Sequence, residues 1–217
     1  MIVVTGAGRC GSSLMMQTLY HLGVPMLGTP ETDTGCNTML KEDPTGILAQ
    51  QIIDMNPKGY WELPIKEIYK MIDFGFPEHV GRAVKIMGAA FSDLNTNDIE
   101  NVIFCKRRDR DTQAEGLHKM AQLDLEIKKR NNTTNTYIDW FENKTVDDVF
   151  MRQHLTLNHI AYILKEENVN YIEVVFEDIV SNPQPEIERV VQFLNLDVDI
   201  SKAVDNVDVR NEISVRY

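Results

Sequence analysis

A short apolar run, Ile2 to Thr5, breaks at Gly6-Ala7-Gly8-Arg9-Cys10-Gly11-Ser12-Ser13, and Leu14, Met15, Thr18, Leu19 and Leu22 then recur at helical spacing. This is the pattern of a buried strand entering a glycine-rich turn that opens a helix. Gly23 and Pro25 close that helix. Glycines let the backbone bend until successive N–H groups point inward, and the helix N-terminus adds a partial positive charge. Ser12 and Ser13 add hydroxyl donors and Arg9 a full charge. The segment reads as an anion-binding loop, the alternative being a turn that binds nothing.

Three more strands follow the first: Ala83 to Met87, Val102 to Cys105 and Tyr171 to Phe176. Between them the spacing of apolar residues predicts helices over about Pro64–Asp73 (Ile65, Ile68, Tyr69, Ile72), Thr112–Arg130 and Val146–Glu166. Pro185 opens a further helix whose Ile187, Val190, Val191 and Leu194 share one face. The tail from Ser201 is polar and gives no clear period. Strands apolar on both faces that alternate with helices imply an α/β fold, a central parallel sheet flanked by helices in three layers. In such sheets ligands bind beyond the carboxyl ends of the strands. The turns after Thr5 and after Cys105 are the two such places that carry chemical residues.

The chain has 217 residues and reads as one domain with one crevice. Residues 26–82 and 130–150, rich in irregular sequence, are read as lid or acceptor-side segments. Acidic residues number 33 against 22 basic, for a net charge of −11. Such a chain is a poor general binder of nucleic acid or of anionic membrane, so an anionic ligand needs a local basic cluster. The run Lys106-Arg107-Arg108-Asp109-Arg110 is such a cluster. No stretch is long and apolar enough to span a membrane, and Met1 to Thr5 lacks a basic leader region. Cys10, Cys36 and Cys105 form neither an even framework nor a CxxC pair, which predicts reduced thiols in a cytoplasmic protein. His154 and His159, five apart, do not share a helix face as a metal pair would, and no metal site is expected.

Gly8-Arg9-Cys10-Gly11-Ser12-Ser13-Leu14 resembles the 5′-phosphosulfate loop of sulfotransferases, where Arg or Lys precedes a small residue, Gly and two hydroxyl residues. Asn56-Pro57-Lys58-Gly59-Tyr60-Trp61-Glu62 is similar to a segment of bacterial members. Phe176-Glu177-Asp178-Ile179-Val180-Ser181-Asn182-Pro183, with Val191-Gln192-Phe193-Leu194-Asn195-Leu196 after it, looks like the ending of the family. The resemblance implies a P-loop-type fold and a donor, 3′-phosphoadenosine 5′-phosphosulfate, used without metal. It makes Gly8, Arg9, Cys10, Gly11, Ser12 and Ser13 the cradle of the 5′-phosphate. In the family a strand-end Arg and a Ser further along the helix grip the 3′-phosphate. Arg108 with Asp109 resembles that Arg and puts the Ser position on Gly116, whereas Arg107 would put it on Glu115. Arg108 is preferred, because a glutamate would repel the phosphate. The serine is missing either way.

Lys85 ends a strand where the family carries a basic residue facing the sulfonate. The His that cytosolic members use as a base corresponds to Met87, and Glu62 takes that role by elimination. Arg9, Lys85 and Glu62 are therefore the catalytic candidates. Glu177 and Asp178 are read as structural caps of the next turn. The acceptor is a small molecule or a glycan, with no nucleic acid or membrane partner expected. Two rivals stand beside this reading. The spacing Gly6 to Gly11 also fits the G-x-x-x-x-G of a nucleotide kinase, although Ser12 occupies the place of its lysine. A relative that binds donor but transfers nothing is the other.

Overall fold

A computed structural model describes residues 1–28, 50–51, 61–75, 79–132 and 139–214. The segment Asn56 to Tyr60, Cys36 and most of the segment 26–60 lie outside the described residues. The strands are β1 (Ile2–Gly6), β2 (Ala83–Lys85), β3 (Asn101–Lys106) and β4 (Tyr171–Val175). The helices are α1 (Ser12–His21), α2 (Ile65–Phe74), α3 (Arg110–Asn131), α4 (Val146–Glu166), α5 (Phe176–Ser181), α6 (Pro183–Phe193) and α7 (Ser201–Ser214). Two 3-10 turns, Gly88–Asp93 and Thr96–Asp98, link β2 to β3.

The four strands form one parallel sheet in the order β2-β1-β3-β4. Its register sets Val4 beside both Lys85 and Ile103, and Gly6 beside Cys105. Alternation along β1 divides the core. Ile2 and Val4 face Leu14, Leu19, Ile187, Val190, Ala203 and Val207, from α1, α6 and α7. Met1 and Val3 face Phe91, Leu157, Ile160 and Leu164, across the sheet. With helices on both faces, every inner strand residue is covered, which is why β1 reads as an unbroken apolar run. Each fully buried ring, Phe91 and Phe104 among them, contributes about 1.5–3 kcal/mol from area alone.

Several boundaries, the tail and one helix face differ from the sequence reading. Phe176 starts α5 rather than ending β4, and β2 stops at Lys85, two residues before Met87. The helix assigned to Pro185 opens at Pro183, which occupies its first turn where the missing N–H costs nothing. The polar tail from Ser201 is a helix, held by buried Ala203 and Val207 against α1. In α2 the inward residues are Ile68, Met71 and Ile72, while Tyr69 points to solvent.

Candidate anion and transfer site

Gly6, Lys85, Lys106 and Val175 end the four strands at one edge of the sheet, and the loop of residues 7–11 lies there. A Cβ on Gly6 would come within 2.5 Å of both the Cys10 Sγ and the Cys105 carbonyl oxygen, so only glycine lets the loop turn this tightly against β3. Arg9 adopts the left-handed conformation at φ 65°, and Gly11, at φ 91°, precedes α1. A Cβ there would strike Phe176 at 2.6 Å. Helix α1 has no side-chain cap at its N-terminus and no acidic residue in its first turn. An uncapped helix start leaves backbone donors and the positive end of the dipole available to an anion.

Two of the predicted transfer residues meet this loop. The Lys85 side chain is 3% exposed, and its Nζ donates to Ser13 Oγ at 3.0 Å. The same Nζ pairs with Glu62 Oε1 at 2.8 Å, and residues 62 and 85 form an isolated parallel bridge that extends the sheet edge. A buried ammonium needs a partner of this kind, since removing its charge from water without one is costly. Glu62, Lys85 and Ser13, distant in sequence, therefore form one chain of contacts leading to the start of α1. Trp61, next to Glu62, is buried in the core at φ 60° with its ring 5.1 Å from Tyr20.

The β3–α3 turn divides its arginines. Arg108 points outward, two-thirds exposed, and pairs with Asp178 at 2.8 Å. Arg107 is largely buried and stacks on Phe176 at 4.4 Å, the ring that walls Gly11. The structure thus sets Arg107, rather than the preferred Arg108, against the wall of the loop. Gly116 is beside Arg9: a Cβ on it would lie 3.7 Å from Arg9 Nε, in ordinary contact. Glu177 and Asp178 do not cap their own helix. Glu177 instead accepts the N–H groups of Arg108 at 2.9 Å and Asp109 at 3.3 Å, which ties α5 to the turn after β3. Asp109 caps α3, and hydrogen bonds from the backbone and side chain of Thr112 hold its carboxyl below the usual range.

Two glutamines and a thiol contact escaped the sequence reading. Gln113 and Gln153, both buried, donate their Nε2 atoms to the Gly8 carbonyl at 2.9 Å each. Their signal was present: Gln153 interrupts the buried stripe Val149, Leu157, Ile160, Leu164 of α4, where an apolar residue is the norm. Cys10 and Cys105 touch beneath the loop. The hydrogen bond between them lowers the Cys10 thiol against the opposing effect of burial, and the same contact, with burial, pushes Cys105 well up. Trp140 lies under Arg152 at 4.2 Å, in the packing of α3 and α4. Among the described residues no cluster of three or more His, Cys, Asp or Glu could hold a metal ion, and no helix is long and apolar enough to cross a membrane.

A family model described as the sulfotransferase domain matches residues 90–212. The chain belongs to the sulfotransferase family. The matched span holds β3, the arginine turn and the two glutamines, and it begins after the phosphate loop, Glu62 and Lys85. Among solved structures, this sulfotransferase chain is similar to retinol dehydratase in complex with androsterone and the inactive cofactor PAP, at 14% identity and a TM-score of 0.51. That likeness covers 97% of this chain and 64% of the other, and it supports the α/β fold. The chain spans about 64% of that protein's length. The sulfotransferase domain from the Synechococcus PCC 7002 olefin synthase matches at 14% identity and a TM-score of 0.48, covering 96% of this chain and 76% of that one. No curated protein matches this sequence.

Proposed function

We propose that this chain is a sulfotransferase enzyme that moves the sulfuryl group of 3′-phosphoadenosine 5′-phosphosulfate to a hydroxyl or amine of a small-molecule or glycan acceptor. One observation carries the reading: the uncapped start of α1, the Arg9 turn before it, and buried Lys85 on Ser13 with Glu62 behind it form a single constellation. Family membership supports the reaction class, and the PAP bound by retinol dehydratase supports the donor. The residues fit such a donor. The cradle depends on Gly6 and Gly11, where any Cβ would collide, and it has no acidic residue of its own.

The bound donor would supply an activated sulfuryl group on a phosphate that leaves readily. Like phosphoryl transfer, the step asks the protein mainly to position groups and stabilise charge. Arg9 and the N–H groups among residues 8–13, apart from that of Cys10, which donates to the Ala7 carbonyl, hold the 5′-phosphate and stabilise the charge that grows on it, and one such donor is worth about 10²–10³ in rate. Lys85 orients Ser13 and the sulfonate from the end of β2. Its ion pair engages Oε1 of Glu62, whose carboxylate takes the acceptor proton. Arg107, stacked beside Gly11, is favoured for the 3′-phosphate over exposed Arg108. Reduced Cys10 and Cys105 accord with work in the cytoplasm.

Calorimetric titration tests the donor site. Adenosine 3′,5′-bisphosphate is expected to bind in EDTA, and Arg9→Ala and Arg107→Ala to weaken it at least tenfold. Magnesium-dependent ATP binding with no response to the bisphosphate would instead make the protein a kinase, a reading that Ser12 in place of the P-loop lysine disfavours. Transfer is then read with labelled donor over alcohols, phenols, amines and sugars. Glu62→Gln should cut kcat about 10²-fold and leave donor affinity intact. Binding without transfer to any acceptor would reduce the chain to a donor-binding relative.

A further inference from the structure

Buried amides are expensive to keep, and this molecule keeps two at one carbonyl. Gln113 is fully buried and Gln153 is 3% exposed. They reach Gly8 from different helices, α3 and α4, and Gln113 also lies 3.4 Å from the Ala7 carbonyl. Neither Oε1 has a hydrogen-bond partner. A leucine or methionine at either place would avoid an orphaned buried acceptor, so stability does not account for the pair. What the pair does control is the direction of one peptide. The Gly8 carbonyl and the Arg9 N–H belong to the same planar trans unit and point opposite ways. Two donors that hold the carbonyl toward α3 and α4 aim the Arg9 N–H away from those helices. A carbonyl that accepts two hydrogen bonds also polarises its peptide, which strengthens the N–H as a donor. Arg9 itself sits in the left-handed region, a conformation that a non-glycine residue holds only when its surroundings fix it.

We propose that Gln113 and Gln153 are positioning residues for the anion loop: from two helices they clamp the Gly8 carbonyl and so fix the Arg9 N–H as a preorganised donor to the bound phosphate. The inference rests on the proposed function, because the phosphate is that of the donor. It also assigns a task to the junction of α3 and α4, since any shift between those helices moves the peptide that faces the ligand.

The test uses the full chain with Gln113→Met, Gln153→Met and Gln153→Glu, and three readouts. Calorimetry with adenosine 3′,5′-bisphosphate should show each methionine variant binding about threefold to tenfold more weakly. Thermal unfolding of the same variants should stay within a few degrees of the parent. The ¹⁵N–¹H resonance and exchange rate of the Arg9 amide, followed in the absence of ligand, should change in each. In Gln153→Glu an ionised carboxylate cannot donate but a protonated one can. Its affinity relative to the parent should therefore recover as pH falls, which a packing defect would not do. Unchanged affinity in both methionine variants would overturn the proposal. So would a loss of affinity that tracks a loss of Tm while the Arg9 amide stays unaltered. Should the parent bind no bisphosphate, the donor reading fails, and the ligand-free Arg9 amide still decides the clamp: a changed resonance sustains it and an unchanged one overturns it.

Discussion

Glycine at 116 leaves α3 bare where it passes Arg9, at the position that aligning Arg108 gives to the family's phosphate-gripping serine, one residue beyond the Glu115 that Arg107 selects. The space is open enough to restore one, because a Cβ there meets Arg9 Nε only at 3.7 Å. Gly116→Ser should bind adenosine 3′,5′-bisphosphate about threefold to tenfold more tightly, the worth of one added hydrogen bond. AMP, which lacks the 3′-phosphate, should bind as before. Calorimetry on both ligands separates the cases, and an equal gain for AMP would mean that the serine reaches the 5′-phosphate beside Arg9 instead. At this scale the candidate site is legible wherever chemistry and chain order coincide: Arg9 and Gly11 in the loop and Ser12 and Ser13 at the start of α1 are contiguous and read as one unit. Lys85 and Glu62 were legible as residue types at plausible places, but their pairing depends on a bridge that no local pattern encodes. The choice between Arg107 and Arg108 turned on charge repulsion at residue 115. Glu177 and Asp178, carried by α5, sort the two arginines by burial, and no pattern local to residues 106–116 encodes that.

Helix α4 begins with a reciprocal cap in which Thr145 Oγ1 accepts the Asp148 N–H at 3.2 Å and Asp148 Oδ2 accepts the Thr145 N–H at 2.9 Å. Thr145→Ala removes one half of that exchange and should cost about 1 kcal/mol, a fall of roughly 2–4 °C in Tm for a chain of this size. Thermal unfolding followed by circular dichroism checks it. An unaltered Tm would show that packing of Val149 and Phe141 fixes the start of α4 without the cap. Elements with a local signal of this kind were readable in advance: α4 spans the predicted residues, and β1 announces itself by an apolar run ending in glycine. Those that failed lack one. In α7 the inward side chains among those described are Ala203, Val207, the polar Asn206 and the half-buried Val204, too mixed and too few to set up an apolar period, and the helix depends on α1 to cover them. The α5–α6 boundary failed because Pro183 and Pro185 are both acceptable in a first turn, so proline alone cannot say which opens the helix.

At the scale of the molecule, three helix starts among the described residues engage ionised carboxylates, and this makes stability sensitive to acid. Asp109 caps α3, Asp148 completes the reciprocal cap of α4 with Thr145, and Asp199 accepts the N–H of Ser201, the first residue of α7. Each is held below its ordinary value of 3.8, by Thr112, by Thr145 and by the Ser201 hydroxyl and N–H respectively. A depressed folded value means that the unfolded chain takes up protons first as pH falls. The stabilisation is thus complete above 3.8 and is lost through that value and down to the folded ones. A second effect runs the other way at higher pH, because a net charge of −11 at pH 7 repels itself and mild acid relieves it. Tm should therefore hold or rise slightly from pH 7 to about 5 and then drop below about 4. Salt separates the two contributions: it should flatten the upper limb, where long-range repulsion is screened, more than the lower limb, where hydrogen bonds at single helix ends are at stake. Replacing all three aspartates by asparagine, which still accepts a cap hydrogen bond but does not titrate, should remove part of the acid limb and lower Tm at neutral pH. An acid limb of unchanged steepness in that variant would move the cause from the helix caps to the remaining carboxylates.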